Sequence, residues 1–309
     1  MVDTYYKGAQ SAVGFAVETT WGIAGTAFRK FGISTGTTDP NKTATVVMLG
    51  DMNSSREGTS QVVTANKYEI KHSFYVNDYW ALLAILGTVA KVGATSPFTY
   101  TFTQSSCIPA FSFHHKIDNC DAGKNISDVY VGCKIKQAAF TMNEGLLMCE
   151  LTFSAKDREE DQGVIAVTEN NAEPYKYSDI INGNISINSA AVQMDDWNIS
   201  VDNKMVERQA GLLIDEQSVT NIEYSQSAKG QMNSTDVRDL VGGSEVPMVV
   251  LFSRGTNDTL SFNTNVMITS APNPTTKSDV VQVNITPSTR TLEIVYITTT
   301  DIDVGDIVL

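Results

Sequence analysis

Histidine and cysteine are scarce in this 309-residue chain, which has three histidines (His72, His114, His115) and four cysteines (Cys107, Cys120, Cys133, Cys149). Two of the histidines are adjacent, so a Ser-His-Asp arrangement has little to work with, and the cysteines form no Cys-x-x-Cys knuckle. The sequence also lacks a Gly-x-Ser-x-Gly elbow, a phosphate-binding glycine loop and a His-Glu-x-x-His pair. Basic residues are few, 22 against 35 acidic ones, for a net charge of −13. Capture of nucleic acid, which needs a basic patch to displace counterions, is therefore disfavoured. An acidic surface aids solubility, and an acidic channel wall would repel a polyanion. The longest apolar run, residues 79–86, is far too short to span a bilayer. The N-terminus, MVDTYYKGAQ, has neither the basic start nor the apolar core of a signal peptide. The expectation is a chain with no membrane partner, folded in a reducing cytoplasm with free thiols. Asn-x-Ser/Thr triplets such as those at Asn125 and Asn198 are accordingly discounted as glycosylation sites.

What is present is enough apolar residue, 42%, for a globular chain, and enough length for two domains with their own cores. A repeat organises it. Residues 61–87 (QVVTANKYEIKHSFYVNDYWALLAILG) recur, 156 positions on, as residues 217–243 (QSVTNIEYSQSAKGQMNSTDVRDLVGG). Gln61/Gln217, Val63/Val219, Thr64/Thr220, Tyr68/Tyr224, Asn77/Asn233 and Gly87/Gly243 are identical, where chance gives roughly one or two matches. Tyr68, Ile70, His72, Phe74 and Val76 alternate with polar neighbours at the period of a half-buried strand. So do Ile222, Tyr224, Ala228 and Met232. Each strand is predicted to run into a short helix. The first is capped by Asn77, with Tyr79, Leu82, Leu83 and Leu86 on one face. The second starts at Ser234 or Thr235, buries Val237, Leu240 and Val241, and stops at Gly242-Gly243.

The rest reads as strands and turns. Residues 1–39 are expected to be an irregular arm, 46–49 a short strand and 51–60 a polar loop. Residues 97–103 (PFTYTFT) alternate aromatics with threonines as a one-faced strand does. Residues 129–141 and 146–155 are predicted strands joined by Asn143-Glu144-Gly145, and Leu147, Cys149, Leu151 and Phe153 share a face. The charged, then Asn- and Pro-containing, stretch near 156–174 is the expected linker. Beyond it, Ile185/Ile187 and Trp197/Ile199/Val201 alternate. Strands are then expected at 248–252, 259–269, 280–285 and 291–297, with a bend at Pro287-Ser288-Thr289. The predicted fold class is mainly β: two tandem antiparallel β-sandwich or barrel-like domains with one short helix each. The expected division is an arm (1–39), domain 1 (40–158), a linker (159–175), domain 2 (176–297) and a C-terminal tail (298–309).

Few residues are candidates for chemistry. Cys107, His114, His115 and Cys120 lie close enough in sequence to be weighed as a Zn²⁺ site, but adjacent histidines on a strand point to opposite faces, and free, buried thiols are the preferred reading. The run Glu159-Glu160-Asp161 reads as a solvated charge cluster and Asp195-Asp196 as a strand turn. Asp301, Asp303 and Asp306 lack the glycine turn and bidentate glutamate of a calcium loop. No catalytic, metal or cofactor site is expected, and no enzyme.

Three segments carry a family resemblance. Val17-Glu18-Thr19-Thr20-Trp21-Gly22 is similar to an E-S/T-x-x-G-T opening. Val131-Gly132-Cys133-Lys134-Ile135 followed by Thr141–Leu147 resembles a G-c-k-v…g-G-l-v hairpin. Residues 183–205, preceded by Tyr177-Ser178-Asp179 and ending in Trp197–Met205, resemble a hairpin of the second half. Together they resemble the siphovirus-type phage tail tube proteins. That resemblance implies a β-sandwich or barrel-like subunit that polymerises into stacked rings around a DNA channel in the virion tail. With two such domains per chain, trimeric pseudo-hexameric rings are expected, hexameric rings being the alternative. It further implies as partners other tail proteins such as the tape measure and terminators, with only transient, non-specific passage of DNA. The arm, the 51–60 loop and the tail are the expected contacts between rings. Glu69, Lys71, Glu223 and Lys229 lie on polar strand faces that could front the channel or the outside. Readings of other classes are a surface or capsid-decorating, adhesin-like β-sandwich and, were the Cys/His cluster real, a metal-dependent hydrolase.

Overall fold

The computed structural model describes residues 6–49, 60–119, 125–169, 172–176, 185–231, 241–255, 257–269, 282–285 and 287–302. The first half supplies β1 (Tyr6–Val17), β2 (Phe28–Arg29), β3 (Ile33–Leu49), β4 (Ser60–Tyr75), α1 (Trp80–Leu86), β5 (Gly87–Val92), β6 (Phe98–Gln104), β7 (Phe111–Asn119), β8 (Ile126–Asn143) and β9 (Leu146–Ala155). Two short strands follow, β10 (Asp157–Glu159) and β11 (Val167–Thr168). The second half adds β12 (Ile185–Ile187), β13 (Ala190–Ala191), β14 (Gln193–Asp202), β15 (Met205–Ala210), β16 (Leu213–Val219), β17 (Glu223–Gln231), β18 (Val246–Gly255), β19 (Asp258–Ile268), β20 (Gln282–Ile285) and β21 (Pro287–Thr298).

A seven-stranded antiparallel sheet runs β13-β12-β18-β19-β21-β6-β5. A twelve-stranded sheet follows the path β11-β2-β1-β7-β8-β14-β17-β20, with β10, β9, β4 and β3 branching off. Both sheets draw strands from both sides of the 159–175 segment. The long strand β8 makes the branch: its first half pairs with β7, and its second half lies between β9 and β14. Between the sheets, Trp197 of β14 and Phe140 of β8 meet Phe262 of β19 with ring centroids 4.9 and 5.0 Å apart. A second aromatic cluster fills the first half, where Phe15 stacks on Phe31 at 3.7 Å and Phe113 and Phe153 close around it. The two clusters belong to one continuous core.

The alternation read from sequence sets these faces. Tyr68, Ile70, His72, Phe74 and Val76 are buried, as are Phe98, Tyr100 and Phe102, Leu147 through Phe153 at every second position, and Trp197, Ile199 and Val201. Glu144 and Gly145 both take positive φ (51° and 78°), so the β8–β9 turn is the two-residue kind whose twist matches its strands. Helix α1 ends at Gly87, at φ 93°, whose amide returns to Leu83 O. Its start differs. Asp78, not Asn77, takes the Trp80 amide at 2.8 Å, while the Asn77 side chain reaches Ala172 O at 3.0 Å. Residues 81–86 are all buried, so the helix is a plug with no solvent face. The second expected helix, from Ser234 or Thr235, lies up to residue 240 outside the described residues; at its expected end Val241 is exposed rather than buried, and Gly242 takes φ 72°.

Other expectations change. The segment read as an irregular arm contains β1, which lies between β2 and β7 in the large sheet, since its glycines do not prevent pairing. The 46–49 strand is the end of the much longer β3, an edge strand that tolerates Pro40 because it pairs only with β4. The 159–175 segment is mostly exposed but anchored at two points: β11 pairs in parallel with β2, and Tyr175 is fully buried. Pro287-Ser288-Thr289 is already part of β21, opposite Ile268 to Val266.

The repeat has a structural counterpart. In hairpin 1, β3 and β4 pair from Ile33–Tyr75 at the root to Leu49–Ser60 near the end. In hairpin 2, β14 pairs with β17 from Gln193–Gln231 to Asp202–Glu223, and beyond a short break the same two chain directions pair again as β15–β16, up to Ala210–Leu213. The windows 61–75 and 217–231 are the returning strands of these two hairpins.

Candidate assembly interface

The residues nominated for metal chemistry do not come together. Cys107 is exposed in the loop before β7, and His114 and His115 point to opposite faces of that strand. The Ser127 hydroxyl donates to Gly163 O at 2.7 Å, which leaves the His114 Nε2–H to donate to Ser127 Oγ at 3.0 Å. Burial pushes the His114 imidazole down to about 4. His72, on the face opposite His114, is pushed down to about 3 by burial and by His115. Both are neutral packing groups. Among the described residues no three His, Cys, Asp or Glu side chains gather as a metal site, and Cys120 lies outside them. Cys133 and Cys149 are free, fully buried thiols whose pKa burial raises.

Glu160 pairs with Arg158, which also reaches Asp128 at 3.5 Å. Asp196 lies opposite Lys229 beside a bulge in the β14–β17 pair. Asp301 holds Lys91 and accepts from the Tyr100 hydroxyl at 2.9 Å, and Lys91 with Tyr100 keeps its carboxyl below the ordinary range. That hydroxyl also receives the Ile302 amide at 2.7 Å, clasping the start of the tail to β5–β6. Asp303 and Asp306 lie outside the described residues.

Two motifs that looked separate in sequence meet at Glu18. Its buried carboxylate accepts the Gly132 amide and the Ser112 hydroxyl, both at 2.7 Å, on one oxygen and the Gly22 amide at 2.7 Å on the other. The Trp21 indole donates to Gly132 O at 3.3 Å, and Lys156 lies 4.4 Å over the same ring. Gly132 sits at φ 65°, and a Cβ there would meet Lys156 Cβ at 2.7 Å. The Glu-Thr-Thr-Trp-Gly opening is thus a turn that ties β1 to β8 through charge-assisted hydrogen bonds.

A second polar hub joins both halves beside α1. Arg29 pairs with Asp78 at 2.8 Å and lies 4.0 Å over the Trp80 ring. Arg254 lies 4.1 Å over Tyr175, pairs with Asp258 at 3.0 Å and donates to the carbonyls of Asn77 and Glu173. Burial lifts the Asp78 pKa to about 6, against the pull of Arg29.

The ends of the two hairpins differ in what covers them. Hairpin 2 folds back over β4, β8 and β9. Ile214 is fully buried, Leu212 O receives the Asn66 amide at 2.9 Å, and the Gln217 side chain donates to Ser154 Oγ at 2.9 Å. Glu207 sits between Lys67 at 3.0 Å and Lys136 at 3.1 Å. Burial alone would raise its pKa, but the Ser154 hydroxyl and the two lysines outweigh it and hold the carboxyl below its ordinary value. Of the polar-face candidates, Glu69 joins this network through Lys136 at 3.4 Å, Lys71 stays exposed, and Glu223 pairs with Lys204 at 3.0 Å. Hairpin 1 has no such cover. Over residues 41–46 and 61–64 every position is exposed, so both faces of the ribbon are bare. Val46 and Val63 are cross-strand partners, 49% and 44% exposed, and Val62 is 44% exposed. Sequence reasoning missed this ribbon and the docked hairpin alike. The valine pairs were a visible signal for the first, and nothing local marks Glu207 for the second.

The described residues thus form a mainly β scaffold with internal polar ties and a two-stranded ribbon bare on both faces, an arrangement that is marginal alone in water. In comparison with known families, the family model described as phage tail tube protein matches residues 8–290, and the chain belongs to that family. No individually curated protein matches it. The chain is therefore a virion tail component that self-assembles into the tail tube, and not an enzyme. No described helix is long and apolar enough to cross a membrane.

Proposed function

We propose that this chain is a siphovirus-type tube subunit in which two tandem tube-like modules share one continuous core, so that three chains close each ring where six single modules otherwise would. The observation that carries this reading is the pair of long hairpins whose returning strands belong to the two copies of the repeat spaced 156 positions apart. A surface that meets its neighbour head to tail closes into a ring at a fixed rotation, and rings that stack become an open filament. The bare end of hairpin 1 supplies the link between copies. Covering its valines yields on the order of 1 kcal/mol each, and pairing or stacking the ribbon removes an edge that would otherwise aggregate. The net charge of −13 suits a conduit through which DNA must slide without being held. Tape-measure and terminator proteins are the partners this role implies.

Native mass spectrometry of rings released from purified tubes tests the stoichiometry. Three chains of 33.6 kDa per ring are expected, and six would remove the tandem-module proposal while leaving the tube.

A further inference from the structure

Besides the bare ribbon, the outward face of the seven-stranded sheet is a large surface without a partner among the described residues. Core-facing residues on its strands alternate with half-exposed ones. Across five adjacent strands one outward row reads Leu251, Ser261, Val295, Thr101, Ala90. Among the outward residues from Thr291 to Ile297 and those aligned with them on β5, β6, β18 and β19, Glu293 is the sole charged group. On a chain of net charge −13 a face so poor in charge is poorly suited to a wall that must repel phosphate, and its neutral Thr, Ser, Asn and Val rows can be covered with little charge to desolvate.

We infer that this face receives the bare end of hairpin 1 from a neighbouring copy, an assignment that rests on the tube reading above. Size, surface character and charge all fit. Five strands spaced about 4.8 Å apart span roughly 19 Å, room for a two-stranded ribbon with its side chains. The face already holds a groove of about 400 Å³ lined by residues that include Asn263, Asn265, Thr291 and Glu293. The ribbon offers valines, threonines and asparagine, matching the mixed Val/Thr/Asn rows it would cover. Residues 40–49 and 60–67 contain two lysines, Lys42 and Lys67, and no carboxylate, although the chain as a whole is acidic. Lys42 is exposed, which leaves it available to Glu293, while Lys67 is held by Glu207 within its own chain. The occupant is a second copy of this chain, and the contact is heterologous, ribbon on face.

Photo-crosslinking decides the landing site. Tubes assembled from a mixture of ¹⁴N- and ¹⁵N-labelled full-length chains, with the ¹⁴N chain carrying Val63→p-benzoylphenylalanine, should give mixed-isotope crosslinks from position 63 to peptides covering 99–104 or 291–297. Glu293→Lys should lower tube yield at least tenfold without moving the melting temperature of the unassembled chain, and adding Lys42→Glu should restore it. Mixed-isotope crosslinks to another surface in intact tubes would overturn the landing site but leave the tube reading in place. Failure of the unlabelled wild-type chain to form tubes would overturn both.

Discussion

Hairpins 1 and 2 start alike and end differently. Each is rooted in the core by a large aromatic, Phe74 in β4 and Trp197 in β14, both fully buried. Beyond the root, hairpin 2 breaks at residues 203–204 and 220–222 and doubles back onto its own protomer, held by Ile214, Gln217 and the Lys67–Glu207–Lys136 network. Hairpin 1 continues past Ala65, where hairpin 2 covers it, and leaves Val46, Val62 and Val63 in water. Under the proposed tandem arrangement, one hairpin braces the subunit and the other is left to reach the next.

The largest effects should fall where the hairpins are alike. Phe74→Ala and Trp197→Ala should each lower unfolding free energy by about 3–5 kcal/mol in urea titrations of the unassembled chain. A small loss at either position would mean that the roots are not equivalent. Further out the hairpins should part company. Ile214→Ala should cost about 2–4 kcal/mol, whereas Val63→Ala should change the unassembled chain by no more than about 0.5 kcal/mol. Equal costs would erase the distinction between docked and bare.

Glu207→Gln should cost about 1–2 kcal/mol, less than a fully buried pair because its lysines are partly exposed. Since its folded pKa lies below the ordinary 4.5, its contribution is present above that value and is lost as pH falls through the folded pKa. The wild-type and Glu207→Gln stability curves should therefore converge on acidification. Asp78 works in the opposite sense. Its folded pKa, raised from 3.8 to about 6, means that the folded state binds the extra proton in that window, so stability falls as pH rises through it. Asp78→Asn should flatten this decline, and parallel melting curves between pH 4 and 6 would contradict the assignment.

Much of the fold was legible because period-two alternation reports directly on which face of a strand is buried. The β4, β6, β9 and β14 faces followed from it, and the Asn143-Glu144-Gly145 loop marked the β8–β9 turn by its residue types. What escaped was set by long-range pairing. Nothing local in the glycine-rich start says that residues 6–17 will lie beside β7, and nothing in Val167-Thr168 foretells pairing with β2. The Glu18 turn was visible as a motif, but its partner Gly132 is 114 residues away. The helix cap was assigned to Asn77 on residue type alone, and burial gave the amide of Trp80 to Asp78 instead. For the interface, Val46 falls on an expected strand and Val63 on the repeat, and only the exposure of both ribbon faces reveals them as a surface.

The most direct test is negative-stain imaging of the purified chain beside a variant carrying Val46→Asp, Val62→Asp and Val63→Asp. Hollow tubes from the wild type and dispersed subunits with an unchanged melting temperature from the variant are the expected pair. Tubes of normal length from the variant would contradict the claim that hairpin 1 is the reserved link between copies.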